Sequence, residues 1–113
     1  SYSMEGSLLN TNADTIASAT AVALAEAFNV SLIYCFEKDG VLSDPDDDSS
    51  VIPVLDPEQY AGYKESGAIN RGMIPKLDNS FDALRSGVER VIICHAKDLL
   101  AAVEEEKGTR ISL

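Results

Sequence analysis

Two short apolar runs, Leu32–Phe36 and Val91–Cys94, constrain this chain more than any other feature it has. Neither alternates polar with apolar residues, so each reads as a strand covered on both faces, as parallel strands usually are. Extended by one or two residues, the predicted strands are Val30–Phe36 and Arg90–Cys94. Parallel strands need long crossovers, and helical stretches stand where crossovers belong. The expected architecture is therefore α/β, a three-layer αβα sandwich around a mainly parallel sheet.

The helices carry their own punctuation. A stretch from Ala13 to Phe28 has Thr11 or Asn12 as its expected N-cap and Asp14 in the first turn. Ala17, Ala21 and Ala25 share one face while Ile16, Leu24 and Phe28 share another, which predicts burial on several sides. Asp56-Pro57-Glu58-Gln59 combines an N-cap, a first-turn proline and a capping-box glutamine, starting a helix that runs to Ser66 before Gly67. Pro75 confines the start of the next helix to Gly72–Ile74. Leu77, Phe81 and Leu84 form its core stripe, and Gly87 closes it. A helix over Asp98–Glu105 and short strands at Val51–Leu55 and Arg110–Leu113 complete the reading. Residues 1–7 are small and polar, with Ser1-Tyr2-Ser3 before Met4 resembling a cloning remnant. The folded unit is expected over 8–113.

Charge and cysteine usage exclude several classes of function. Nine Lys and Arg against 19 Asp and Glu leave the 113-residue chain at −10, unsuited to nucleic acid or to anionic membranes. Cys35 and Cys94 both lie in apolar runs and form no CxxC, so buried free thiols and a cytoplasmic location are expected. Gly67–Gly72 has the glycine spacing of a phosphate loop, but Met73 replaces its lysine. Asp44–Asp48 opens like a calcium loop, yet Ser49 and Leu55 occupy the required glycine and glutamate places. No metal ligand set is assigned. His95 follows Cys94 on a strand, where neighbours point to opposite faces, so the two make no catalytic pair.

Two segments hold more polar chemistry than folding asks for. Asn10-Thr11-Asn12-Ala13-Asp14 packs two carboxamides and a carboxylate at the mouth of an apolar helix; ordinary capping is the plain alternative. In Gly72-Met73-Ile74-Pro75-Lys76 a lysine occupies a first helical turn, where the macrodipole favours Asp or Glu. That makes a doubly positive locus suited to an anion, with a simple surface lysine as the alternative. Lys76 shares its face with Ser80 and Ala83, small neighbours that would leave room beside it.

In order and spacing, these segments, the alanine-rich helix, Gly40-Val41-Leu42 and Gly108-Thr109-Arg110-Ile111 resemble N-acetylglutamate kinases of the amino acid kinase superfamily. The likeness spans Leu8 to Ile111 and covers only the C-terminal half of such an enzyme. It implies a nucleotide-binding half, inactive alone, whose missing N-terminal half carries the phosphate loops. It also implies ATP, Mg²⁺ and N-acetyl-L-glutamate as ligands, and a homo-oligomer at full length. By the resemblance, Asn10 and Asn12 would contact the acetylglutamate carboxylate, Asp14 would hold catalytic lysines in place, and Lys76 would stabilise the phosphoryl group in flight. Glu37, Lys38, Asp39, Gly40, Val41 and Leu42, with Ala68, Ile69, Asn70, Gly72 and Met73, would surround the nucleotide. The sequence departs from the pattern at Glu37-Lys38, where Asp-Val is common, and at Asn70-Arg71; Lys38 and Arg71 suit either phosphate contact or plain surface. A carboxylate acceptor is already ionised at neutral pH, so the chemistry needs no general base. The alternatives are another amino acid kinase, specific for carbamate, aspartate or uridylate, and a non-catalytic nucleotide-sensing module.

Overall fold

Helices separate the apolar runs, and in the computed structural model the runs become the paired strands of one sheet. The structure describes residues 6–69, 71–105 and 107–113, with the backbone alone for 6–14 and 105. In chain order it contains α1 (Gly6–Ala25), β1 (Ser31–Phe36), β2 (Val54–Leu55), α2 (Pro57–Ser66), α3 (Ile74–Arg85), β3 (Arg90–His95), α4 (Leu99–Glu105) and β4 (Thr109–Ile111). Short 3₁₀ turns at Arg71–Met73 and Ala96–Asp98 lead into α3 and α4. The sheet order is β1-β3-β4-β2. β1 pairs in parallel with β3 and β2 with β4, while β3 and β4 are antiparallel, so the sheet is mainly parallel.

Three layers result. Leu32 and Tyr34 of β1 and Val91 and Ile93 of β3 face the side covered by α1 and α3, in one core with Leu77, Phe81, Ala83 and Ile111. Tyr60 brings α2 to the same side, stacking on Phe81 with ring centroids 5.3 Å apart. On the other side Ile92, Cys94 and half-buried Ile33 meet Ala102 of α4. Among the described residues no helix is long and apolar enough to cross a membrane.

The local signals of α2 hold in detail. Asp56 accepts from the Gln59 amide at 2.7 Å, Gln59 Oε1 accepts from the Asp56 amide at 3.1 Å, and Gly67 ends the helix at φ 78°. Tyr60 Oη donates to Asp78 Oδ1 at 2.7 Å and ties α2 to α3. Burial first, and then the Asp78 carboxylate, raise the phenol's pKa well above its usual value.

Several expectations need correction. Helix α1 begins at Gly6, so Thr11 and Asn12 lie inside it rather than at its N-cap, and it ends at Ala25 rather than Phe28. Nor is the expected second face covered: Ile16 and Leu24 of α1 and Phe28 beyond its end are exposed, while Ala17, Ala21 and Ala25 pack into the core shared with β1 and α3. β1 is an edge strand with one open face, and Cys35 is exposed while Cys94 is buried. The expected strand at Val51–Leu55 shrinks to Val54–Leu55, with an isolated bridge between Val51 and Leu42. The last strand is Thr109–Ile111, not Arg110–Leu113. Ser80 and Ala83 are wholly buried, so these small residues of α3 serve the packing of the core.

Candidate functional site

The topology places the site. β1 and β3 are parallel, and α1 and α3 each precede one of them, running back along the sheet. Both helices therefore begin at the carboxyl edge of these strands, where open α/β sheets hold ligands. Two contacts fix their common direction. Ser18 Oγ of α1 donates to the Asn79 carbonyl of α3 at 3.3 Å. Further along, a Cβ built on Gly87 would lie 3.9 Å from Ala25 Cβ. One turn before Ser18 and Asn79 lie backbone position 14 and Lys76, at the same end of the pair. The side chains of Asn10, Asn12 and Asp14 lie outside the described residues.

At this edge the segment after β1 and the segment between α2 and α3 enclose a cleft of about 480 Å³, mouth included. Phe36, Glu37, Lys38, Gly40, Val41, Leu42 and Pro45 line one wall, and Ala68, Ile69 and Met73 the other. Val41, Ile69 and Met73 are buried and make the floor apolar. Glu37 and Lys38 bring charge to the rim, and Lys38 Nζ pairs with Asp48 Oδ1 at 3.1 Å. Two expected members stand apart from the lining. Asp39 reaches Lys97 at 3.9 Å, and Gly72 forms the middle of the 3₁₀ turn before α3. Asn70 lies outside the described residues.

One buried hydroxyl holds the cleft's first wall in place. Thr109 Oγ1 of β4 accepts from the Val41 amide at 2.8 Å and donates to the Ile52 carbonyl at 2.6 Å. Gly40 is required beside it, because a Cβ there would come within 2.7 Å of Thr109 Oγ1 and 2.9 Å of Val51 Cγ1. The Ile52 amide completes the clasp by donating to the Val41 carbonyl at 2.8 Å. Sequence reasoning gave Thr109 no role and missed Phe36 and Pro45 as lining. The Gly108-Thr109 motif was the available signal, but its partner Val41 lies 68 residues away.

Lys76 sits in the first turn of α3, half-buried, with Nζ 5.4 Å from the centroid of buried Tyr34 on β1. A cation over a tyrosine face is held there electrostatically. The N-cap Met73 makes no side-chain cap, and the first turn of α3 contains no acidic residue. Lys76 is not part of the cleft lining; it stands on the α3 side of the same edge.

The other candidates are structural. His95 Nδ1 accepts from the Lys97 amide at 3.1 Å, capping the 3₁₀ turn. In the acidic loop, Asp44 Oδ1 accepts from the Asp46 amide and Asp47 Oδ1 from the Ser49 amide and hydroxyl. The Ser49 contacts lower the Asp47 pKa. Among the described residues no group of three His, Cys, Asp or Glu side chains could hold a metal ion.

The α/β sheet thus carries an apolar-floored cleft and a helix-borne lysine at its carboxyl edge, the place where open α/β sheets hold ligands. Residues 1–95 match the model of the amino acid kinase family, and the chain belongs to that family. It is 55% identical over 108 residues to an acetylglutamate kinase of Cytophaga hutchinsonii, covering 94% of this chain and 41% of that protein. Acetylglutamate kinase of Phocaeicola vulgatus is 55% identical over 107 residues, covering 95% of this chain and 40% of that one. The chain thus spans about 40% of the length of the curated relatives it matches. Among solved structures, smu.665 from Streptococcus mutans UA159 superposes with a TM-score of 0.67 at 29% identity, covering 89% of this chain and 35% of that one. N-acetylglutamate synthase from Neisseria gonorrhoeae shares the fold, with a TM-score of 0.64 at 24% identity over 85% of this chain and 23% of that one.

Proposed function

We propose that this chain is the ATP-binding part of an acetylglutamate kinase, which transfers the γ-phosphoryl group of ATP to the side-chain carboxylate of N-acetyl-L-glutamate. The observation that carries this reading is the shared edge. The cleft between residues 36–45 and 68–73, the N-terminus of α3 and Lys76 all lie at the carboxyl ends of β1 and β3. In this reading the apolar floor of Val41, Ile69 and Met73 takes the base, with Glu37 and Lys38 at the rim. Lys76 and the first-turn amides of α3 face the phosphoryl group. Its ammonium stabilises charge on the equatorial oxygens, the main requirement of a phosphoryl transfer whose nucleophile is already ionised. Asp14 orients lysines contributed by the rest of the enzyme, and Asn10 and Asn12 bind the acetylglutamate carboxylate. Asp39 and Gly72 belong to the shell around the nucleotide rather than to the floor, and Asn70 surrounds the nucleotide with them.

The test is Lys76→Ala in the full-length protein. Turnover should fall about 10²–10³-fold, the typical loss for one preorganised transition-state donor, with the KM for acetylglutamate little changed. Unchanged turnover would remove Lys76 from the chemistry. Absence of acetylglutamate phosphorylation by the unmodified full-length protein, with carbamate or aspartate phosphorylated instead, would overturn the substrate assignment. The 113-residue chain alone is expected to give no turnover.

A further inference from the structure

The face of the sheet away from α1 and α3 carries reactive chemistry that the nucleotide site does not use. Cys35 of β1 and Cys94 of β3 are register partners in the parallel ladder. Leu32 and Tyr34 face α1 and α3, so the alternation of side chains turns Cys35 to the opposite face. Cys94 is on that face too, packed with Ile92 and Ala102. Neighbouring strands run about 4.8 Å apart, inside the roughly 4.4–6.8 Å between Cα atoms that a disulfide spans. The Cα separation of these two register partners is therefore within the range a disulfide spans.

Their surroundings differ. Cys35 is exposed and Cys94 is buried. Ala102 covers Cys94, and so does the backbone of Gly108, where an added Cβ would stand 2.9 Å from Cys94 Cβ. Burial raises the Cys94 thiol pKa above its ordinary value, and the neighbouring Cys35 and Asp98 add to that. A small disulfide thus reaches one member of the pair directly and the other only through it.

We propose that Cys35 and Cys94 form a cross-strand dithiol that exchanges with low-molecular-weight disulfides, Cys35 being the entry thiol and Cys94 the resolving one. In the first step the Cys35 thiolate attacks one sulfur of the small disulfide. The Cys35–sulfur bond forms, the original sulfur–sulfur bond breaks, and one small thiolate leaves and takes up the proton that Cys35 lost. In the second step Cys94 gives its proton to solvent base and its thiolate attacks Cys35 Sγ. The Cys35–Cys94 bond forms as the mixed disulfide breaks, and the second small thiolate leaves and is protonated. Two protein thiols are oxidised to one disulfide, and one small disulfide is reduced to two thiols. Because the second step needs the Cys94 thiolate, ring closure accelerates as pH rises above neutrality. The inference is independent of the nucleotide reading, since it uses neither the cleft nor Lys76.

The experiment treats the native full-length protein with oxidised glutathione near about pH 8, alkylates the remaining thiols, and maps peptides by mass without reduction. The expected product is a peptide pair joining Cys35 to Cys94, lighter by two hydrogens than the sum of its parts and separated by reductant. In the Cys35→Ser variant, whose change is at an exposed position, Cys94 should stay free of glutathione until the protein is denatured. In Cys94→Ser, a glutathione adduct should persist on Cys35. A wild-type protein that keeps glutathione on Cys35 with Cys94 recovered as a free thiol would overturn the proposal. So would modification of Cys94 in native Cys35→Ser, or two unmodified cysteines in native wild type.

Discussion

Replacing Thr109 by Val tests how the cleft's first wall is held. The two side chains have nearly the same shape, so the change removes a hydroxyl and leaves the volume filled. Thr109 is 0% exposed, and its Oγ1 takes part in two short bonds, 2.8 Å from the Val41 amide and 2.6 Å from the Ile52 carbonyl. Without it a buried donor and a buried acceptor lose their partner together, at about 1–3 kcal/mol for each unsatisfied group. Partial relaxation of the exposed loop beyond Ser43 reduces the sum, so a total of about 2–4 kcal/mol is expected. That is a large share of a whole domain's stability, which is typically about 5–15 kcal/mol. Urea unfolding should show a lower midpoint at unchanged m-value, and ATP should bind more weakly because Gly40 and Val41 line the cleft. Thr109→Ser keeps the hydroxyl and should lose no more than about 1.5 kcal/mol, the size of one buried methyl group. A Val variant as stable as the parent, or a Ser variant as damaged as the Val one, would refute the assignment of this clasp to the hydroxyl.

Two further outcomes follow from named contacts. Asp56→Ala removes the side-chain acceptor of the Gln59 amide, leaving only the bond from the position-56 amide to Gln59 Oε1, and should destabilise the protein by about 0.5–2 kcal/mol, read as a lower urea midpoint. An unchanged midpoint would show that the exposed cap contributes nothing in this context. Tyr60 has a raised pKa in the fold, so the folded state holds its proton more tightly than the unfolded chain does. Its contribution is complete below the unfolded phenol's pKa of about 10 and declines as pH rises beyond that. Thermal melts between about pH 9 and about pH 11 should show this loss in the parent and a shallower one in Tyr60→Phe. Equal slopes would remove Tyr60 from the pH response.

The candidate site was legible in the sequence by its segments and not by its walls. Residues 37–42 and 68–73 could be singled out, and the cleft forms between them. Phe36 and Pro45 could not, because a lining residue is chosen by the path of the loop rather than by residue type. Lys76 stood out because a first-turn lysine opposes the helix dipole, and its neighbour Tyr34 became visible only when β1 was laid under α3. The small residues Ser80 and Ala83 misled in the same way: small size signals open space and close packing equally, and here it means close packing.

What the amino-acid order determined by itself was every feature settled within a few residues. The start of α2 belongs here, since Asp56 and Gln59 satisfy each other's amides, and so does its end at a left-handed Gly67. The positions of β1 and β3 and the start of α3 after Pro75 are of the same kind. Tertiary structure alone decided which faces were covered. β1 reads as fully buried but occupies the sheet's edge, and α1 reads as apolar on several sides, yet Ile16 and Leu24 are exposed. Strand order also brought Cys35 beside Cys94, and Thr109 to Val41 across 68 residues. Caps and turns are satisfied by near neighbours, so local chemistry dictates them. Burial depends on which element arrives to exclude water, and no local stretch of chain contains that partner.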